Sequence, residues 1–228
     1  MKKSVHLESS TEERIVEAAG ELFAESGFRG ATVRKICDRA GVNLSAIKYH
    51  FGGKEKLYSE VLNHWHQFAI EKYPPLLGVS EKVSPEKQLR AFILSLLFRI
   101  LDKGKPAWSG RLMAREMVEP TSAFDRLVEE NVRPLHALLA SIVRKIIKSS
   151  VSEETLRLCY LSIIGQCLYY YNARYIGQIF QRDMSTPGEI ERIADHITRF
   201  SLRGLRHYSR NATERKNSLG GEVGRKSP

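Results

Sequence analysis

The sequence predicts an all-α protein in two helical parts, and three observations carry that prediction. Apolar residues recur at three- and four-residue spacing through most of the chain. No stretch keeps the strict apolar-polar alternation of a half-buried strand. Glycine and proline breaks at Gly27, Gly41, Pro74-Pro75, Gly104 and Pro187 fall between the periodic stretches. The turn-rich run PPLLGVSEKVSP, residues 74–85, separates an N-terminal part (8–73) from a C-terminal part (84–208). Residues 209–228 are polar, basic and too poor in apolar residues to bury a core, which predicts a disordered tail.

Residues 1–7 read as a mildly basic lead. Ser10 and Glu13 have the spacing of a capping box, and Ile15, Ala18, Ala19, Leu22 and Phe23 form one apolar stripe behind it. Gly27 ends this first helix, and Phe28 is expected to tuck beneath it. Thr32 is a good N-cap for a short helix carrying Val33, Ile36, Cys37 and Ala40. Gly41 supplies the left-handed residue at its end, and Asn43 can cap the next helix. In that helix Ile47 and Phe51 face inward, leaving Ser45, Ala46, Lys48, Tyr49 and His50 on the outer face and far end. Two short helices around a tight turn, the second with a small, polar, cationic outer face, make a helix-turn-helix able to enter a DNA major groove. An ordinary helical hairpin has the same pattern. Charge favours the DNA reading: residues 29–56 hold seven basic residues against two acidic ones, and phosphate neutralisation dominates sequence-independent DNA affinity.

A longer helix from Lys54 carries Leu57, Val61, Leu62, Trp65, Phe68 and Ala69 up to Pro74. Five further helices are expected in the second part: 87–101, 106–118, 123–148, 153–181 and 187–208. Pro134 should kink or split the third of these. The fourth is apolar over much of its circumference and needs cover on several sides. Its unmatched face, with part of the last helix, suits a two-fold interface between copies. Polar groups among apolar ones mark a candidate effector pocket: Trp108, Arg111, Met113 and Arg115 on one helix, Gln166, Tyr169, Tyr170 and Asn172 on another. The same residues also fit a structural Arg-Glu network and interface tyrosines.

The stretch GVNLSAIKYHFGGKEKLYSEVL resembles the signature of the TetR family of transcriptional regulators, carried by Tyr49-His50-Phe51 and Lys54-Glu55-Lys56-Leu57. TEERIVEAAGELFAESGFRGATVRKI is similar to that family's first helix and its approach to the motif. Lys48 stands where the family most often has an aromatic residue, and Ser45-Ala46 where Gly-Ala or Gly-Thr is common. RLMAREMVEPTSAFDRLVEENVRP resembles the C-terminal domain of the CecR/YbiH-type branch. By analogy, that branch implies control of efflux or drug-sensitivity genes. The resemblance implies a three-helix DNA-binding domain, a helical ligand-binding and dimerisation domain, and a homodimeric, ligand-responsive repressor of a palindromic operator on double-stranded DNA. Thr32, Arg34, Tyr49, His50 and Lys54 are then expected at phosphates, and Asn43, Leu44, Ser45, Ala46 and Lys48 at base edges.

The formal net charge of +10 is consistent with a nucleic-acid partner, although basic proteins also bind membranes and acidic partners. Three cysteines, Cys37, Cys159 and Cys167, argue against a disulfide framework and for a reducing cytoplasm. No long apolar run or signal-peptide core is present, so no membrane partner is expected. The sequence holds no phosphate-binding glycine loop, no paired-cysteine metal spacing and no nucleophile-elbow motif, so neither an enzyme nor a cofactor is expected. The seven histidines lack an i, i+4 pair. A helical small-molecule carrier or membrane-surface protein is the competing class. It explains the apolar helices but not the basic cluster on the turn motif.

Overall fold

The computed structural model describes residues 10–80, 82–102, 106–148 and 151–220; the side chains of 106–110, 171–175 and 209–220 lie outside the description. Among the described residues every regular element is helical: α1 (Thr11–Gly30), α2 (Val33–Ala40), α3 (Leu44–Phe51), α4 (Lys54–Lys72), α5 (Pro85–Leu101), α6 (Pro106–Val118), α7 (Ser122–Leu127), α8 (Arg133–Ile147), α9 (Glu153–Leu168), α10 (Ala173–Phe180) and α11 (Pro187–Gly220). The chain divides into two units, Met1–Glu71 with Gly104–Glu130 and Lys72–Lys103 with Asn131–Pro228. The division expected at 74–85 is therefore crossed once, because α6 and α7 group with the first unit.

In the first unit, Ser10 and Glu13 form the reciprocal capping box that starts α1. The predicted stripe Ile15, Ala18, Ala19, Leu22 and Phe23 is buried against Ile36, Cys37, Ala40, Ile47, Leu57, Val61 and Leu62. Gly27 interrupts α1 with φ +70. Phe28 folds back there, 6.3 Å from the Phe23 ring and 5.0 Å from Tyr58. Gly20 lies within α1, where glycine usually destabilises. A Cβ at that position would collide with the Trp65 indole, so the two helices approach through the missing side chain.

α6 joins this core through Leu112, which is fully buried. Beside it the buried Glu116 carboxylate accepts the Tyr58 hydroxyl at 2.5 Å and the Thr121 backbone N–H at 2.7 Å. The Thr121 hydroxyl also donates to it at 3.0 Å. A buried charge without hydrogen bonds is costly, and these donors are what make the carboxylate tolerable in the core.

The second unit is built around α5, which buries Leu89, Phe92, Ile93, Leu94, Leu97, Ile100 and Leu101 against α8, α9 and α11. Arg90 Nε pairs with Asp195 at 2.6 Å to tie α5 to α11. Pro134 sits in the first turn of α8, where its missing N–H costs nothing. The helix expected over 123–148 is split there into α7, a π-helical turn (Val128–Val132) and α8. The helix expected over 153–181 is also interrupted. Tyr169–Asn172 tighten into a 3-10 turn, in keeping with the weak helix propensity of consecutive aromatics. α11 continues through Gly220, so residues 209–220 extend a helix where a disordered tail was expected. Residues 221–228 and the lead at 1–7 lie outside the described residues.

Candidate nucleic-acid interface

The turn motif is assembled by three caps. The Thr32 hydroxyl accepts the Lys35 backbone N–H at 3.3 Å and starts α2. Gly41 at φ +65 closes α2, with a conformation that costs an L side chain about 1–2 kcal/mol. Asn43 Oδ1 then accepts the Ala46 N–H at 3.1 Å and the Ser45 hydroxyl at 2.5 Å, which starts α3. The cap uses the acceptor of Asn43 and the donor of Ser45. What these two can still offer a base is the Asn43 amide N–H pair and the Ser45 lone pairs.

α3 buries Ile47 fully, with Ala46 and Phe51 half-buried beside it. Its other face is open. Leu44 is 58% exposed and Tyr49 84%, and Ser45, Lys48 and Asn43 are exposed with them. Thr32 and Arg34 are exposed at the start of α2. Eight of the ten DNA candidates therefore stand at or beside one outward surface. The other two are turned elsewhere. His50 Nδ1 lies 3.0 Å from Glu12 Oε1 on α1, in the wall of an open cleft of about 460 Å³ shared with Glu55, Lys56, Glu60 and Arg126. Lys54 Nζ sits 4.5 Å over the Phe28 ring, a cation–π contact. Arg39, counted in the basic cluster, pairs with Glu21 at 3.5 Å and Glu25 at 3.4 Å.

Sequence reasoning passed over the residues that hold this motif in place. Arg14 Nη2 donates to the carbonyls of Ala40 at 2.5 Å and Gly41 at 2.9 Å, which are the last acceptors of α2. A cation one turn into a helix opposes that helix's own dipole, and this mismatch was the available clue that Arg14 serves another helix's C-terminus. Arg115 does the same for α1, donating to the Glu25 carbonyl at 3.3 Å.

The effector candidates fall in both units. Arg111, Met113 and Arg115 belong to the first, with Arg111 and Arg115 exposed and Met113 half-buried. Gln166 spans from the Ser162 carbonyl to Ser201 and lines a cleft of about 180 Å³ between α9 and α11, with Leu158, Phe200, Gly204 and Tyr208. Tyr169 is exposed. Tyr170 packs half-buried against the second unit's core, and burial pushes its phenol above the usual range. The side chains of Trp108 and Asn172 lie outside the described residues.

Comparison with known proteins decides the family. Residues 15–61 match the family described as bacterial regulatory proteins, tetR family, and residues 85–205 match the C-terminal domain of the HTH-type transcriptional dual regulator CecR. This chain belongs to the TetR family, with a CecR-type C-terminal domain. It is thus a DNA-binding transcription regulator, and the family is not one of enzymes. The dual regulator CecR of Shigella flexneri is 28% identical over 69% of this chain and 74% of its own. The repressor NicS of Pseudomonas putida is 26% identical over 86% of this chain and 92% of its own. The fold recurs in a TetR-like regulator from a Rhodococcus species, with TM-score 0.63 at 19% identity, covering 86% of this chain and 95% of that one. It recurs in the ketosteroid regulator KstR2 of Mycobacterium tuberculosis, with TM-score 0.59 at 18% identity, covering 86% and 95%. Among the described residues of this TetR-family chain, no helix is long and apolar enough to cross a membrane.

Proposed function

We propose that the chain represses transcription by binding a palindromic operator as a homodimer, and that a small-molecule effector releases it. One observation carries the reading. α3 spends one face on the core and leaves Leu44, Ser45, Lys48 and Tyr49 outward, where an unpaired apolar residue and a large aromatic have no internal use. A duplex offers both a partner, through thymine methyl groups and phosphates. Lys48, Ser45, Asn43, Ala46 and Leu44 take the base edges, and Thr32, Arg34 and Tyr49 take the flanking phosphates, while Lys54 stays over the Phe28 ring. Repression is supported by relatives named as repressors, NicS and KstR2.

Two copies meet through the outward face of α9 and α11, where Leu158, Leu161, Phe200 and Tyr208 are exposed. One short recognition helix covers few base pairs, and a pair spaced by helical turns reads a palindrome. Of the effector candidates Tyr170 is the best placed, since its neutral hydroxyl sits at the edge of an apolar core. Effector binding then favours a state whose recognition helices no longer match the groove spacing. Acting on chromosomal DNA, the protein works in the cytoplasm. Selection of bound genomic fragments at two salt concentrations tests the proposal. A specific reader enriches one palindromic family at both; a merely cationic helical protein loses its DNA at higher salt and enriches none.

A further inference from the structure

α3 has eight residues and one fully buried apolar anchor, Ile47. A helix this short has no stability of its own, since isolated helices below roughly 12–15 residues are marginal in water. Ala46 and Phe51 pack against the core only in part, so they fix the axis of α3 loosely. Over a span of roughly 12 Å, small rotations about Ile47 would carry Leu44 and Lys48 out of register with base edges. Something must pin the two ends, and both pins come from the first turns of α1. At the near end, Arg14 holds the Ala40 and Gly41 carbonyls at 2.5 and 2.9 Å, two residues before the Asn43 cap. At the far end, Glu12 Oε1 holds the His50 ring through Nδ1 at 3.0 Å in the last turn of α3.

We propose that Glu12, Arg14 and His50 form a positioning clamp that sets the axis of the recognition helix, and that His50 serves DNA binding through Glu12 and not by touching a phosphate. The proposal rests on the DNA-reading function of α3. The Glu12–His50 contact is exposed and contributes little to stability, so its effect belongs to recognition, not to folding.

The sign of one substitution separates the two roles. Glu12 is an exposed carboxylate beside the DNA-facing helix. If it acted only by charge, Glu12→Gln would remove a repulsion and tighten DNA binding. The clamp requires the reverse. With a fragment obtained by genomic selection and an unrelated duplex of equal length, the full chain and its Glu12→Gln, His50→Gln and double variants are titrated across a salt series.

The clamp expects each single variant to lose roughly tenfold for the selected fragment, the scale of one lost base-edge contact. It expects binding to the unrelated duplex to stay within about twofold, since phosphate contacts carry non-specific affinity. The double variant should be no worse than the weaker single one, because the two residues act through one another. The slope of log affinity against log salt should stay at the wild-type value for His50→Gln. Arg14→Gln, which is too short to carry the Nη2 donor to the Ala40 and Gly41 carbonyls, should show the same selective loss.

Tighter or unchanged binding by Glu12→Gln overturns the clamp, as does a His50→Gln slope reduced by about one, the mark of a lost phosphate contact. Losses that multiply in the double variant overturn it as well. If the wild-type chain enriches no fragment, the recognition reading itself falls and the clamp falls with it, which is distinct from a reader whose clamp variants bind normally.

Discussion

At the scale of single residues, the outward side chains of α3 and the buried thiols give opposite expectations. Lys48 is exposed on α3 and makes no contact on which the core depends. Lys48→Ala should leave thermal unfolding unchanged. It should weaken operator binding by about 1–3 kcal/mol if the ammonium reads a base edge. If it sits on a phosphate, all sequences should weaken alike and the salt slope should fall by about one. Titration on selected and unrelated duplexes distinguishes these, and unchanged affinity removes Lys48 from the interface. The cysteines are the inverse case. Burial raises the Cys37 thiol, with Asp38 adding to it; burial alone raises Cys159 and pushes Cys167 up to about 12. The thiolate is the reactive form, so none of the three should react promptly with a thiol reagent at pH 8 in the native protein. All three should react in denaturant, with Cys159 first under partial unfolding because it lies nearest the α9–α11 cleft.

At the scale of elements, the Tyr58–Glu116 hydrogen bond ties α6 to α4 within the first unit. Tyr58→Phe should cost about 1–3 kcal/mol, because the Glu116 carboxylate then keeps its burial but loses one donor. The phenol's pKa is driven above the usual tyrosine range by burial and by the Glu116 hydrogen bond. A proton held more tightly in the folded state gives stability that is complete below the unfolded value, near 10, and lost as pH rises beyond it. Thermal unfolding against pH should therefore fall less steeply above about pH 10 in Tyr58→Phe than in the wild type; equal slopes would remove Tyr58 from the alkaline loss. The sequence could not reveal this pair, whose members lie 58 positions apart. What it could reveal was local: the Ser10 capping box, the left-handed Gly41, the Asn43 cap and the inward Ile47 all follow from neighbours within four residues. The outward tip at Leu44 to Tyr49 was legible for the same reason. The helix breaks were less so. Pro134 announced a break without saying that a π-helical turn would take it up, and the apolar periodicity of 153–181 ran on through the 3-10 turn at Tyr169, at which only the consecutive aromatics hinted. The grouping of α6 with the first unit and the inward turn of His50 depend on distant partners, which periodicity does not encode.

At the scale of the whole molecule, net charge does not mark the unit that carries the turn motif. The unit that contains the turn motif carries fourteen Lys and Arg against fifteen Asp and Glu, while the other carries twenty-two against eleven. The basic patch on α2 and α3 is thus a local feature offset by the acidic face of α1, and association is the role proposed for the second unit. Gly204 gives the sharpest test of that. It lies within α11 beside the exposed Phe200 and Tyr208 and the buried Ser201, and a Cβ there would meet nothing within 4 Å of the same chain. Glycine inside a helix costs about 1 kcal/mol relative to alanine, so a lone chain would gain by replacing it. A second copy packed on α9 and α11 would instead lose the space. Gly204→Leu should therefore raise the thermal stability of whatever monomer is present and weaken the dimer. Phe200→Glu, 64% exposed in the single chain, should keep its helical content and sediment at the 26.0 kDa chain mass, not twice it. Its affinity for a full palindrome should drop towards that for a half-site. A wild-type chain that sediments as a monomer would remove the dimer altogether, and a Gly204→Leu variant that dimerises as before would place the contact between copies on some other face.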